Sequence, residues 1–372
     1  MKYSDFDFYN KFVASSRIKN ITLMKHLYLV ILAGGEGTRL FPYSNPERPK
    51  QLCHIDGGDR RKDTFLKRTI ANFVDAGFDR ERIIVVTSNE RQADITRHQA
   101  CSPRGIALKN VWSIPAVYGY YGTMVEATKM IAESDPEAII VNTPSDHFLV
   151  PDYQFIEVVL EAVNDAKQGY ISTVESIAHD TGIIVWRSKD LLKDNSFDTK
   201  KLDLDQLMEH FGDNCRMSVG DFVWHDCDTF RGLYRAIEKT HIHHNAILGE
   251  GEHRPDNSCH HSLLYVDKGM NLNISDAVEV AVVFTMINDQ PILMVSRLNE
   301  SQRIKDLAEE FMENGKLTVD EVALEENNNQ ILYSSIVNQV SFAFVGVKDY
   351  TARVYRRSDN GNYEAEVFKR HE

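Results

Sequence analysis

The chain opens its regular patterning with an unbroken apolar run, Leu27–Leu32, which reads as a strand buried on both faces of a parallel sheet. Arg82–Thr87, Ala107–Ile114, Ala138–Val141 and Tyr170–Val174 read as further strands. Between them the spacing becomes helical. Asp63–Gly77 carries Phe65, Leu66, Ile70, Phe73 and Val74, with Gly77 as a stop. Asn89–Gln99 is a polar helix, Gly122–Ala132 sets Met124, Ala127, Met130 and Ile131 on one face, and Pro151–Lys167 follows. This alternation predicts an α/β fold: a doubly wound, mostly parallel, Rossmann-like sheet. Leu202–Phe211 and Arg231–His241 are two more expected helices.

From Ser262 the pattern is strand-rich. Ser262–Val266, Ala277–Ile287 and Pro291–Ser296 read as strands, and Asn299–Gly315 as a charged helix. Ile331–Lys348 and Thr351–Lys369 alternate like antiparallel strands, with Asn360-Gly361 as a hairpin turn. No internal repeat is evident. The expected organisation is an N-terminal extension (1–25), a catalytic α/β domain (26–245), a histidine-rich linker (246–260) and a smaller β-rich region (261–372). Residues 1–23 receive no functional role, and an upstream start codon would account for them.

The first strand runs into Gly34, Gly35 and Gly37. Glycine permits positive φ and close backbone approach, so successive amides can line one concavity and hold an anion. Arg39, Arg48 and Lys50 follow on the same loop. A backbone nest ringed by cations at the carboxyl end of a buried strand is a phosphate site. It is not a Walker A loop, since no Gly-Lys-Ser/Thr follows four intervening residues. Nor is it the dinucleotide fingerprint, because Leu40 occupies the place of the third small residue.

The run Leu32-Ala-Gly-Gly-Glu-Gly-Thr-Arg-Leu40, with Arg48-Pro-Lys-Gln51 beyond it, resembles the signature of the sugar-1-phosphate nucleotidyltransferases. It looks most like the mannose-1-phosphate guanylyltransferase branch. The resemblance implies transfer of a nucleotidyl group from a nucleoside triphosphate, with GTP suggested by the branch, to a sugar 1-phosphate. Mannose 1-phosphate or a related hexose or heptose phosphate would be the acceptor. It implies nucleotide contacts from Leu32, Ala33, Gly34, Gly35, Gly37, Thr38, Gly122 and Ser145, with catalytic charge from Arg39 and Lys50. Both cations are expected to face a solvent-filled crevice.

Asn142-Thr-Pro-Ser-Asp-His147 resembles the family's Pro-Ala-Asp-His, whose aspartate binds Mg²⁺; Asp146 is the matching residue. Trp224-His-Asp-Cys-Asp-Thr-Phe230 resembles Trp-Ser-Asp-Val-Gly-Ser-Trp, which makes Asp226 the second Mg²⁺ ligand and puts Asp228 where the family has glycine. His147 is read as a hydrogen-bonded structural group. His179-Asp-Thr-Gly182 stands where the family has Trp-Asn-Ser-Gly, so Asp180 and Thr181 are the sugar-binding candidates. Between Ala178 and His179 a sugar-contacting segment of typical members has no counterpart, which predicts a wider or shallower acceptor pocket. Two alternatives stand beside this reading. One is the same transfer to a different small phosphate acceptor, and the other is a catalytically weak, nucleotide-binding regulatory protein.

Composition narrows the classes. The formal net charge of −13 argues against general nucleic-acid binding and makes local cations conspicuous. Five scattered cysteines without a Cys-x-x-Cys pair suit a reducing cytoplasm better than a disulfide framework. No apolar run is long enough for a membrane span, and no signal peptide is legible. The expected partners are therefore small molecules, nucleic acid and membrane are not expected, and a homodimer is compatible. The histidines from His241 to His261 read as a solvated linker, since neither a cysteine pair nor a helical His-x-x-x-His supports zinc.

Overall fold

The computed structural model describes residues 25–314, apart from short breaks at 58–60, 102–104, 151–152, 178, 194–197, 275–276 and 288–289, and four later strands within 332–369. The expected Asn360-Gly361 turn and the N-terminal extension up to residue 24 lie outside the described residues. The chain forms two compact units. One comprises residues up to 35 and 65–224; the other comprises 36–64 and everything from 225. The boundaries expected at 245 and 260 do not coincide with this division.

Chain order gives strands β1 (Leu27–Leu32), β2 (His54–Gly57), β3 (Arg61–Thr64), β4 (Ile83–Thr87), β5 (Val111–Ser113), β6 (Ile139–Pro144), β7 (His147–Leu149), β8 (Ile171–Ser176), β9 (His179–Arg187) and β10 (Cys215–Gly220). Helices α1 (Phe65–Asp75), α2 (Glu90–Ala100), α3 (Gly119–Ala132), α4 (Tyr153–Lys167), α5 (Ser188–Leu191) and α6 (Leu204–Phe211) fall between them.

The first unit is built on a seven-stranded sheet ordered β10-β8-β9-β6-β1-β4-β5. β1 pairs in parallel with both β4 and β6, β4 with β5, and β10 with β8. Only β9 runs antiparallel, between β6 and β8. This is the expected doubly wound, mostly parallel sheet. Its apolar strands are buried because helices cover them, with Val30, Ile84, Ile140, Trp186, Met124 and Phe211 in one cluster. Leu32 stands in register with Val86 and Pro144, so the ends of β1, β4 and β6 share one sheet edge.

Several elements depart from the pattern reading. Residues 108–110 form a 3-10 turn, leaving only Val111–Ser113 as strand. The Asn110 side chain satisfies the carbonyls of Glu81 and Ile83 and so bends the entry. β10 went unread because it is an edge strand whose Met217 and Val219 are exposed, so its apolar signal is diluted by Arg216 and Ser218. The helix expected to reach His241 is α7 (Phe230–Ala236), since Ile237 turns extended.

The second unit holds the hairpin of β2 and β3, the last two residues of β11 (Trp224–Asp226), and then β12 (Ala246–Leu248), β13 (Glu252–Pro255), β14 (Leu263–Val266), β15 (Asn271–Ile274), β16 (Val280–Ile287) and β17 (Gln290–Arg297). β18 (Leu332–Ser335), β19 (Ser341–Phe344), β20 (Tyr350–Arg356) and β21 (Tyr363–Lys369) follow helix α8 (Ser301–Asn314). The stretch 246–260 is therefore not a linker: β12 and β13 are rungs of two sheets.

A repeat is present here after all. β12, β14 and β16 pair in parallel with Ala246, Leu263 and Ala281 in register, 17 and 18 residues apart. β13, β15 and β20 form a second parallel ladder. The coil's corners use positive φ at equivalent places, namely His244, His261 and Glu279. Gly249 is required at one corner, because a Cβ there would sit 2.1 Å from the Val266 carbonyl oxygen. The repeat escapes sequence reading because its residues share geometry rather than identity. The antiparallel strands expected near the C-terminus occur as β17 with β19, β18 with β19, and β20 with β21.

Candidate active site

Each unit carries its own part of the predicted constellation. In the first, the Ala33 N–H donates to the Val86 carbonyl at 2.7 Å and the Ser145 N–H to the Leu32 carbonyl at 3.1 Å. These bonds place Ala33-Gly34 and Ser145-Asp146 side by side at the end of β1. Gly34 lies so close to the next crossover that a Cβ would meet the Ser88 nitrogen at 2.9 Å. Asp146 is half-buried, with His147 Nε2 at 4.0 Å. His147 Nδ1 accepts a hydrogen bond from Trp224 Nε1 at 3.3 Å, a structural use of the histidine. The His179 ring stacks obliquely on Trp224 at 5.2 Å.

Gly122 packs the start of α3 against the chain at Thr199, where a Cβ would approach the carbonyl oxygen to 1.8 Å. The two sugar-binding candidates part company. Asp180 is exposed and accepts the Gly182 N–H at 2.8 Å. Thr181 is fully buried, and its hydroxyl donates to the Val174 carbonyl at the register shift between β8 and β9. Its side chain belongs to the sheet and is not open to solvent. Sequence reasoning missed Tyr120, whose hydroxyl donates to the Gly182 carbonyl at 3.1 Å and closes this turn onto α3. The Tyr120-Tyr121 pair at a helix start was the available signal.

The second unit gathers the cations. Gly37 has φ 69°, and a Cβ there would meet the Lys50 Cβ at 2.5 Å, so the turn admits only glycine without strain. Thr38 and Arg39 lie on a 3-10 turn whose Leu40 is buried, and the adjacent Phe41 ring packs on Phe311 of α8 at 5.2 Å. Ser44 donates to the Gly37 carbonyl, and Asn45 Oδ1 accepts the N–H groups of Glu47 and Arg48, both at 3.0 Å.

Arg48 is a structural residue. Its guanidinium donates to the Tyr43 carbonyl, to Asp267 Oδ1 and to Thr285 Oγ1, each at 3.0 Å. Asp267 also accepts from the Tyr265 and Thr285 hydroxyls and from the Met286 N–H at 3.0 Å. Burial alone would push the Asp267 carboxyl up, but Arg48 and these donors outweigh it and hold it below its ordinary 3.8.

Lys50 departs from expectation. Its side chain is 3% exposed rather than open to a crevice, and its ammonium pairs with Asp228 Oδ1. A buried ammonium needs a counter-charge, and the 226–229 turn supplies it. Arg39, whose side chain is 50% exposed, approaches Asp228 Oδ2 at 3.5 Å. The turn is fixed from three sides. Asp226 Oδ1 accepts the Asp228 N–H at 2.7 Å, Thr229 caps α7 through the Gly232 N–H at 3.1 Å, and a Cβ on Gly232 would meet the Asp226 carbonyl at 2.1 Å. Asp226 itself is exposed. Asp228 is the functional candidate that motif matching passed over, although a second carboxylate two residues beyond the first was legible.

Among the described residues no group of three or more His, Cys, Asp or Glu is arranged to hold a metal ion. The histidines expected in a linker pair across successive turns of the coil: His243 and His260 meet tilted, Nδ1 to Nδ1 at 3.3 Å, and the His244 and His261 rings stack at 5.4 Å between centroids. Among the described residues no helix is long and apolar enough to cross a membrane.

Residues 28–181 match the nucleotidyl transferase family. A mannose-1-phosphate guanylyltransferase of Sinorhizobium fredii is 27% identical over 160 residues, which are 43% of this chain and 30% of that protein. A glucose-1-phosphate adenylyltransferase of Corynebacterium kroppenstedtii is 29% identical over 126 residues, 31% of this chain and 29% of that one. The chain thus spans less than a third of each of these curated relatives. A solved structure described as mannose-1-phosphate geranyltransferase from Thermus thermophilus shares the fold, with TM-score 0.62 and 15% identity, over 77% of this chain and 99% of that one.

Proposed function

We propose that this chain, whose residues 28–181 match the nucleotidyl transferase family, catalyses attack of a sugar 1-phosphate on a nucleoside triphosphate. A phosphate oxygen of the acceptor forms a bond to the α-phosphorus. The bond from that phosphorus to the bridging oxygen breaks, and pyrophosphate leaves with the electron pair. The acceptor is already ionised, so no general base is needed. Two anions must meet, and the protein's task is to neutralise charge and hold an in-line geometry.

The observation that carries this reading is the convergence of Arg39 and Lys50 on one carboxylate directly after the glycine-rich turn. Two cations held 11 residues apart in sequence form a ready two-point anion site. Gly34, Gly35, Gly37 and Thr38 offer backbone amides, with Leu32, Ala33 and Ser145 beside the base and phosphates. Arg39 clamps the leaving phosphates with its planar fork, and Lys50 acts as a point charge. Asp146, in the first unit, and Asp226, in the second, would each offer the hard carboxylate oxygens that suit Mg²⁺, whose charge would offset that of the triphosphate. GTP and mannose 1-phosphate are the first pair to test. The relatives include both a guanylyl- and an adenylyltransferase, so the base stays part of the proposal. The exposed Asp180 contacts the acceptor, whereas the Thr181 hydroxyl stays bonded within the sheet.

Transfer to a smaller phosphate acceptor is the second reading, favoured by the missing segment before His179. Pyrophosphate release across four triphosphates and a panel of sugar 1-phosphates tests both. Release with one hexose or heptose 1-phosphate supports the first. Release only with small non-sugar phosphates moves the assignment to the second. No release with any pair defeats transfer altogether.

A further inference from the structure

We propose that Asp228 is an internal stand-in for a phosphate group, which a polyphosphate ligand displaces from Arg39 and Lys50. The proposal rests on the nucleotidyl-transfer reading and deepens it.

The geometry is that of an occupied anion site. One carboxylate takes both cations, Lys50 on Oδ1 and Arg39 on Oδ2. A phosphate group presents the same two-oxygen face with an additional oxygen to spare. The Lys50 side chain is 3% exposed, so its ammonium has little access to water and is stabilised by a counter-charge. In this structure Asp228 provides that negative charge.

The occupant is held loosely enough to leave. Asp228 is 39% exposed, and its Arg39 contact is long and half in solvent. The Arg48–Asp267 pair in the same unit is different, with side chains 23% and 19% exposed and three further donors on the carboxylate. Asp228 also stays attached through its main-chain N–H to Asp226 when its carboxylate swings away. An arriving phosphate would therefore exchange one counter-ion for another, rather than pair a bare lysine. The exchange makes affinity a difference between two anions. It weakens the binding of singly charged anions, which gain little over the carboxylate, and favours di- and triphosphates.

The test uses the full chain and measures pyrophosphate affinity by calorimetry with divalent cations chelated. Asp228→Asn keeps size and the main-chain bond but removes the competing charge. We expect it to bind pyrophosphate about tenfold or more tightly than the wild type, the scale of one charge-assisted hydrogen bond released from competition. The exposed Glu47→Gln variant, which removes one charge from the same loop, should change affinity by less than about twofold. Mannose 1-phosphate as the probe separates the sources of the phosphate. A gain confined to it would place the acceptor, rather than the leaving group, at Asp228 and overturn the polyphosphate assignment. The thermal midpoint of Asp228→Asn should fall without ligand and recover with pyrophosphate. Wild-type binding with an equal or weaker Asp228→Asn would overturn the inference alone, as would an equal gain in Glu47→Gln. No binding of pyrophosphate or triphosphate by any form would overturn both this inference and the functional reading beneath it.

Discussion

Arg48 and Lys50 sit two residues apart on one loop, and each meets an aspartate from far along the chain. The first pair is enclosed. Asp267 receives Arg48, two hydroxyls and a backbone N–H, and the Arg48 guanidinium lies 5.2 Å from the Tyr265 ring centroid. The second opens to water on the aspartate side and shares its carboxylate with Arg39. Identical formal chemistry thus serves two ends. A carboxylate saturated with fixed donors ties the loop to the β coil, whereas one that is itself 39% exposed and shared by two cations occupies a place that a ligand can take. Saturation and exposure, not charge, separate a structural pair from a functional one.

The sharpest way to break that contrast is Asp267→Ala. It leaves the Arg48 guanidinium buried without its anion, and removing one partner of a buried pair costs about 3–5 kcal/mol. The unfolding midpoint in urea should fall accordingly. Acid should reproduce part of the loss. The folded-state carboxyl titrates below its ordinary 3.8, so its contribution is present above about pH 3.8 and disappears as pH falls through the lower folded value. A variant as stable as the wild type would show that the coil does not hold the loop through this pair.

Lys50→Ala should be felt in turnover. Removing one preorganised charge from the anion site is expected to lower the rate by about 10²–10³, or 2.7–4 kcal/mol of transition-state stabilisation. The remaining Asp228 is 39% exposed and can be hydrated, so the loss of stability should be smaller than for Asp267→Ala. Initial rates of pyrophosphate release and a denaturation curve separate the two quantities. Unchanged rates would remove Lys50 from the mechanism. Gly37→Ala comes next. Positive φ and the 2.5 Å approach to Lys50 Cβ would strain the turn by roughly 1–3 kcal/mol and displace Lys50. Tighter triphosphate binding in that variant would contradict the role given to the turn.

What was legible in advance follows from the range of the forces involved. Buried strands such as Leu27–Leu32 and Ile83–Thr87 announce themselves because covering helices demand continuous apolar residues. The glycine-rich turn was legible because Gly37 answers a local backbone need. The parallel coil was not, because its rungs are three to eight residues long and its corners recur as His244, His261 and Glu279. The partner of Lys50 was likewise hidden, since the pairing spans 178 residues and only the fold brings Asp228 to it. Thr181 misled for the opposite reason. A motif position predicts where the backbone runs, but the β-bulge between Val174 and Glu175 decides that this hydroxyl turns inward.

The smallest effect is expected where both partners are in water. Lys189 Nζ lies 2.6 Å from Glu137 Oε2, closer than Arg48 lies to Asp267, yet the side chains are 44% and 53% exposed. Hydration already satisfies each charge in the unfolded chain, and salt screens what attraction remains. The pair must also hold two long side chains in one geometry. Lys189→Ala should therefore change stability by less than about 1 kcal/mol, with no effect on pyrophosphate release. The measurement is the urea midpoint at low and at moderate salt, beside Asp267→Ala. If Lys189→Ala proved as damaging as Asp267→Ala, separation alone would set the strength of these pairs. The distinction between saturated, displaceable and solvated carboxylates would then lose its basis.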